Sequence, residues 1–132
     1  MDDLDQARSI YQLMILTAWA DGHLHPSEEL ASNGLLVQFP ELLRVHDPDK
    51  LAEQVKNRLD TVGLTAALDE AAGGLRDQAH RERAFVCCAR MLEADGKISV
   101  EEFGVLAALR ELFALTNDDV ARLLQEAARI RG

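Results

Sequence analysis

Aromatic residues are scarce, at 5% of the chain, with one Trp and one Tyr; there are three prolines and two cysteines. Few aromatics and no long β-branched runs remove the usual material of sheets, and strand alternation never persists beyond a few residues. No apolar run approaches the roughly 20 residues that span a bilayer. Basic residues are in deficit: 14 Lys+Arg against 23 Asp+Glu give a formal net charge of −9. That balance argues against a general nucleic-acid binder, which needs a basic surface to neutralise phosphates. It argues equally against a ligand of anionic membranes. A Gly-rich phosphate loop, an HExxH pair, a nucleophile-elbow serine and a CxxC pair are all missing. A non-enzymatic protein is therefore expected.

The N-terminal MDDLDQ is acidic and lacks the basic n-region of a secretory signal. Cys87 and Cys88 are neighbours. On a helix, adjacent side chains diverge too far to pair as a disulfide. Together these suggest a reducing, cytoplasmic setting. The two cysteines sit among apolar neighbours, so burial rather than nucleophilic reactivity is expected of them.

What the chain has in quantity is Ala and Leu. Hydrophobic residues are 48% of its 132, enough to build a core in one domain. The periodicity predicts an all-α bundle of about seven helices. The first covers residues 4–20, with Leu4, Ala7, Tyr11, Met14 and Ala18 at helical spacing. Its second half, LMILTAWA, is apolar on nearly every side, as a central buried helix would be. The second begins after His25-Pro26 and stops before Pro40. Asp47-Pro48 reads as a cap and first residue of a third, carrying Leu51, Val55, Leu59 and Val62 to Gly63. A short fourth runs from Thr65 to Ala72 and closes at Gly73-Gly74. The fifth spans 76–94, and its AFVCCARML centre predicts a second buried helix. The sixth follows Ser99, with Leu106, Leu109 and Phe113 on one face. The last starts near Thr116-Asn117 and turns Val120, Leu123, Leu124 and Ala127 inward.

One pattern occurs twice. Ala20-Asp21-Gly22-His23-Leu24-His25-Pro26-Ser27-Glu28 and Ala94-Asp95-Gly96-Lys97-Ile98-Ser99-Val100-Glu101-Glu102 share the form A-D-G-x-(Leu/Ile)-x-x-x-E, offset by 74 residues. Each copy follows an apolar helix and precedes an amphipathic one. The repeat suggests two related helical hairpins whose central helices pack on each other.

Asp21 and Asp95 fall at helix C-termini, where unpaired carbonyls and the helix dipole are already negative. A carboxylate there is disfavoured by a few tenths to about 1 kcal/mol. Gly22 and Gly96 suit the left-handed conformation common just past a helix end. Glu28 and Glu102 fall in the first turn of the next helix, where a carboxylate is favoured. Each turn thus assembles an Asp, a Glu and free carbonyls, an oxygen set suited to Ca²⁺ or Mg²⁺. A bound ion would offset the cost of the misplaced Asp.

A standard EF-hand is excluded. Asp95, Gly96, Ile98 and Glu102 match the end of such a loop, but its first ligand would be Met91, and in the other copy Thr17. A second reading needs no ion. Ser99-Val100-Glu101-Glu102 is a capping box, His25, Pro26 and Glu28 make a similar helix start, and the aspartates accept bonds from loop N–H groups.

Paired ADG-(hydrophobic)-x-x-x-E turns in an all-helical chain of this length resemble the TerB-like tellurite-resistance proteins. The resemblance covers residues 7–127 and is best at 85–124, where ARMLEADGKISVEEFGVLAALRELFAL carries it. It implies a compact helical bundle with a pseudo-twofold arrangement and a role in resistance to toxicants or stress. It also implies divalent-cation binding by acidic turn residues, here Asp21, Glu28, Asp95 and Glu102. The first copy departs from the family pattern at His23, His25 and Pro26. His23 and His25 with Asp21 offer a transition-metal alternative, since imidazole suits Zn²⁺ or Ni²⁺; a solvated loop is the plainer reading, because two histidines do not close a zinc site.

Elsewhere, RDQAHRER mixes charges and reads as a solvated helix face. His80 within it, and His46 before a turn, have no evident acid–base partner in sequence. Trp19, the single tryptophan, reads as core packing or as an anchor for a protein partner. Two functions are thus expected to compete: a cation-binding stress-resistance module, and a metal-independent interaction module whose turns are structural.

Overall fold

The computed structural model describes residues 3–20, 47–93 and 100–129, with side chains at 5–19, 47, 49–90 and 104–129. Among these residues every regular element is a helix and no strand occurs. The helices are α1 (Asp3–Ala20), α2 (Pro48–Val62), α3 (Leu64–Ala72), α4 (Gln78–Glu93), α5 (Val100–Leu112) and α6 (Asn117–Arg129). The helix expected between Pro26 and Pro40 lies outside the described residues.

The helix ends follow from local chemistry. Asp47 caps α2, its carboxylate accepting the Lys50 N–H at 3.2 Å, with Pro48 in the first turn. Gly63, at φ 86°, ends α2 and leads directly into α3. That left-handed backbone is the conformation glycine tolerates and other residues resist. Thr116 and Asp119 cap α6 reciprocally: the Asp119 N–H donates to the Thr116 hydroxyl at 3.1 Å, and the Thr116 N–H to Asp119 at 3.0 Å. These bonds hold the Asp119 carboxyl below its usual range, the Thr116 N–H first among the causes.

The core is drawn from all six helices. Residues 13–18 of α1 and 84–89 of α4 are buried without interruption. A helix apolar on all sides must be enclosed on all sides, and these two are. α1 packs on α2, α3, α4 and α5; α4 packs on α1, α5 and α6. The α1–α4 contact is the most extensive among the described helices. Leu123 and Ala127 bury the inner face of α6, with Val120 and Leu124 partly buried beside them. Trp19 is partly buried against the same core.

Ion pairs fasten the outer helices. Arg58 of α2 grips Glu70 of α3 with two guanidinium nitrogens, the Nε at 2.8 Å. Arg122 of α6 reaches Glu82 of α4 at 3.0 Å. Arg58, Glu70 and Arg122 are about half exposed and Glu82 is partly so, and solvent-screened pairs of this kind add little to stability.

Candidate functional site

Near the start of α1, the Gln6 amide donates to Asp77 at 3.1 Å and accepts the Arg76 N–H at 3.3 Å. Farther along, Thr17 of α1 and Cys88 of α4 lie side by side, both without access to solvent. From Gln6 to Thr17 is eleven residues, and from Asp77 to Cys88 is eleven. Equal steps in the same direction mean that α1 and α4 run parallel and in register. Their C-terminal residues, Ala20 and Glu93, therefore lie at one end of the bundle.

The close approach has a sequence cause. Gly74, in the turn before α4, lies against Ser9 of α1; a β-carbon there would overlap the Ser9 hydroxyl and stand 3.2 Å from its Cβ. Ala7, Ala84 and Ala89 are also buried in these two helices. Thr17 has no access to solvent and donates to the Leu13 carbonyl at 2.8 Å.

Asp21, His23, His25, Glu28 and Asp95 lie outside the described residues. Glu102 falls in the first turn of α5, as expected, but its side chain is outside them too. The same holds for the Ser99 cap. Among the described residues no three His, Cys, Asp or Glu side chains are grouped to hold a metal. α1 has no basic residue in its last turn, whereas α4 has Arg90.

Both cysteines are fully buried, and neither forms a disulfide. Burial pushes the Cys88 thiol up to about 12, against the smaller opposing effect of the Thr17 side chain. A thiol held protonated in this way is no nucleophile at neutral pH.

The RDQAHRER segment corrects a sequence expectation. His80 does have a partner: its Nδ1 lies 2.7 Å from both Asp77 carboxylate oxygens. Asp77 also caps α4, accepting the His80 N–H at 2.8 Å. The backbone bond from His80 is the largest cause of the Asp77 carboxyl falling to about 2, followed by the imidazole and then Gln6. The visible signal was Asp-x-x-His at a helix start. Arg81 donates to the Leu75 carbonyl at 3.1 Å, and Glu82 meets Arg122. The segment is thus a fastening between the turn before α4, α1 and α6 as well as a wet face. Opposite signs at a helix start found local donors, which the mixed-charge pattern alone did not reveal.

A separate cleft of about 540 Å³ opens between the end of α2, α3 and α5, lined in part by Val62, Asp69, Glu111 and Leu112. Nothing in the sequence patterns singled it out, because it is made by small residues on two helices distant in sequence.

No helix among the described residues is long and apolar enough to cross a membrane. No protein-family model, curated protein or solved structure matches this chain.

Proposed function

We propose that this chain is a non-enzymatic, cytoplasmic, TerB-like stress-resistance module in which the two ADG turns act together to bind a divalent cation, Ca²⁺ or Mg²⁺. Asp21, Glu28, Asp95 and Glu102 supply the oxygen ligands. The observation that supports the reading is the parallel register of α1 and α4. Two parallel helices bring two negative dipole ends to one side of the molecule. Asp21 follows Ala20 directly, and Asp95 follows Glu93 by two residues. Arg90 is the single basic residue in the last turn of either helix. Carboxylates added to two negative helix ends favour a hard cation. A parallel central pair is also what a twofold axis running between two related hairpins produces, in keeping with the seven-helix pseudo-repeat.

The test is a thermal melt in EDTA and then in Ca²⁺, Mg²⁺, Mn²⁺ or Zn²⁺, on the wild type and on Asp95→Asn. A ligand at 100 times its Kd adds about 2.7 kcal/mol, a rise in Tm on the order of 10 °C for a domain of this size. The expected result is a saturable rise that the variant loses. A flat response in every ion would contradict the cation reading.

A second reading makes the protein a metal-independent interaction module with the turns as structural helix junctions. It draws support from Leu112, a large apolar side chain left 37% exposed beside the cleft between α3 and α5.

A further inference from the structure

The cleft lies outside the paired turns, and its chemistry is different. Ala66 of α3 and Ala108 of α5 line it with a methyl group each. The next residues on these helices, Ala67 and Leu68 on α3 and Leu109 on α5, are buried in the core. That packing fixes the helices apart, and two alanines leave the outer space unfilled. Val62 and Leu112 complete an apolar surface, and Leu112 is the one large hydrophobic exposed among the described residues.

Asp69 and Glu111 line this surface, and no basic residue among the described residues does. Neither carboxylate makes an ion pair among the described residues. Glu70, Glu82, Asp119 and Glu126, by contrast, pair with arginines. An apolar hollow of about 540 Å³ under two uncompensated carboxylates has a definite complement: an apolar anchor flanked by positive charge.

We propose that this cleft docks a segment of a partner protein that presents a Leu, Met or Phe anchor flanked by Lys or Arg. The anchor fills the space over Ala66 and Ala108 and covers Leu112, as in helix-in-groove recognition. The flanking cations meet Asp69 and Glu111. A second copy of this chain is the poorer occupant, because two molecules of net charge −9 repel. The proposal rests on the interaction reading and is independent of cation binding.

The test is selection of a displayed library of short random peptides on the full chain. Selected peptides are then measured by fluorescence anisotropy against the wild type, Ala108→Leu and the double variant Asp69→Lys/Glu111→Lys, with circular dichroism to verify folding. Ala108→Leu fills the hollow from within, and the charge reversals are at exposed positions. The expected peptides carry an apolar anchor between basic residues. Both variants weaken them about tenfold or more, and added salt weakens them further. Peptides that bind all three proteins equally would overturn the cleft and leave the interaction reading standing. Failure of the library to enrich any peptide would overturn both. Concentration-dependent dimerisation abolished by Ala108→Leu would make the occupant a second copy and overturn the basic partner.

Discussion

Thr17 of α1 and Cys88 of α4 lie against each other inside the interface of the two helices, where neither side chain has any access to solvent. With the Gln6–Asp77 contact eleven residues earlier on each helix, this pair sets the two central helices parallel. Burial, not this pair, removes both cysteines from chemistry. In the native protein at pH 8, a thiol reagent such as Ellman's should label neither Cys87 nor Cys88 on the time scale of minutes. In denaturant it should titrate two thiols per chain. Rapid labelling of the native protein would contradict the buried pair.

Gly74, in the turn before α4, lies too close to Ser9 of α1 to admit a β-carbon. Gly74→Ala should destabilise the protein by about 1–3 kcal/mol, the usual range for overpacking. Ser9→Ala removes the hydroxyl that the new methyl meets, while the 3.2 Å contact with the Ser9 Cβ remains. The double variant should therefore recover part of the loss. Denaturant titrations of the four proteins would show this as a coupling energy of about 0.5 kcal/mol or more; strict additivity would contradict the contact.

Asp77 gives the fold an acid-sensitive fastening. Its carboxyl lies near 2 in the folded protein against an ordinary value of 3.8, held down first by the His80 N–H. A carboxyl depressed by folding contributes its stability fully above the unfolded value and loses it as pH falls through the folded one. The loss should appear between about pH 4 and pH 2. Asp119 is depressed in the same direction and adds to the slope. Asp77→Asn keeps a competent cap but removes the titration. Melts across this window should show a shallower fall in Tm for the variant, by a few degrees at its acid end.

Ala114 closes α5 with φ at 54°, a left-handed conformation that costs an L-residue roughly 1–2 kcal/mol. It is exposed, and just past a helix end glycine is the favoured residue. Part of the gain is offset by the entropy glycine loses on folding. Ala114→Gly should stabilise the chain by about 0.5–1 kcal/mol, seen as a raised denaturation midpoint.

Much of the fold was legible in the sequence. The all-round apolar stretches around Leu13–Ala18 and Ala84–Ala89 announced the two buried helices, because a helix without a polar face has nowhere else to go. Asp47-Pro48, Gly63 and Thr116 announced helix ends, because capping is local chemistry. The start of α4 was read two residues early, since Arg76 and Asp77 precede the helix and Asp77 serves as its cap. What remained hidden was non-local. The Gln6–Asp77 bond joins residues 71 apart, and no periodicity links them. The cleft over Ala66 and Ala108 likewise depends on the spacing of two helices. Repetition alone makes Asp21, Glu28, Asp95 and Glu102 the sequence's candidates for a cation site. The parallel course of the helices before them could be read only in three dimensions.

Trp19 stands two residues before Asp21, and it is the single tryptophan in the chain. It therefore reports on the end of the molecule where the cation is proposed to bind. Tb³⁺, an oxygen-seeking stand-in for Ca²⁺, emits when it lies close to an excited tryptophan. A Tb³⁺ titration under tryptophan excitation, with Ca²⁺ as competitor, should give saturable emission that Ca²⁺ displaces. Because both turns are proposed to serve one site, Asp95→Asn should abolish that emission as fully as Asp21→Asn does. Emission that is absent from the wild type, or that survives unchanged in Asp95→Asn, would contradict a cation held jointly by the two turns.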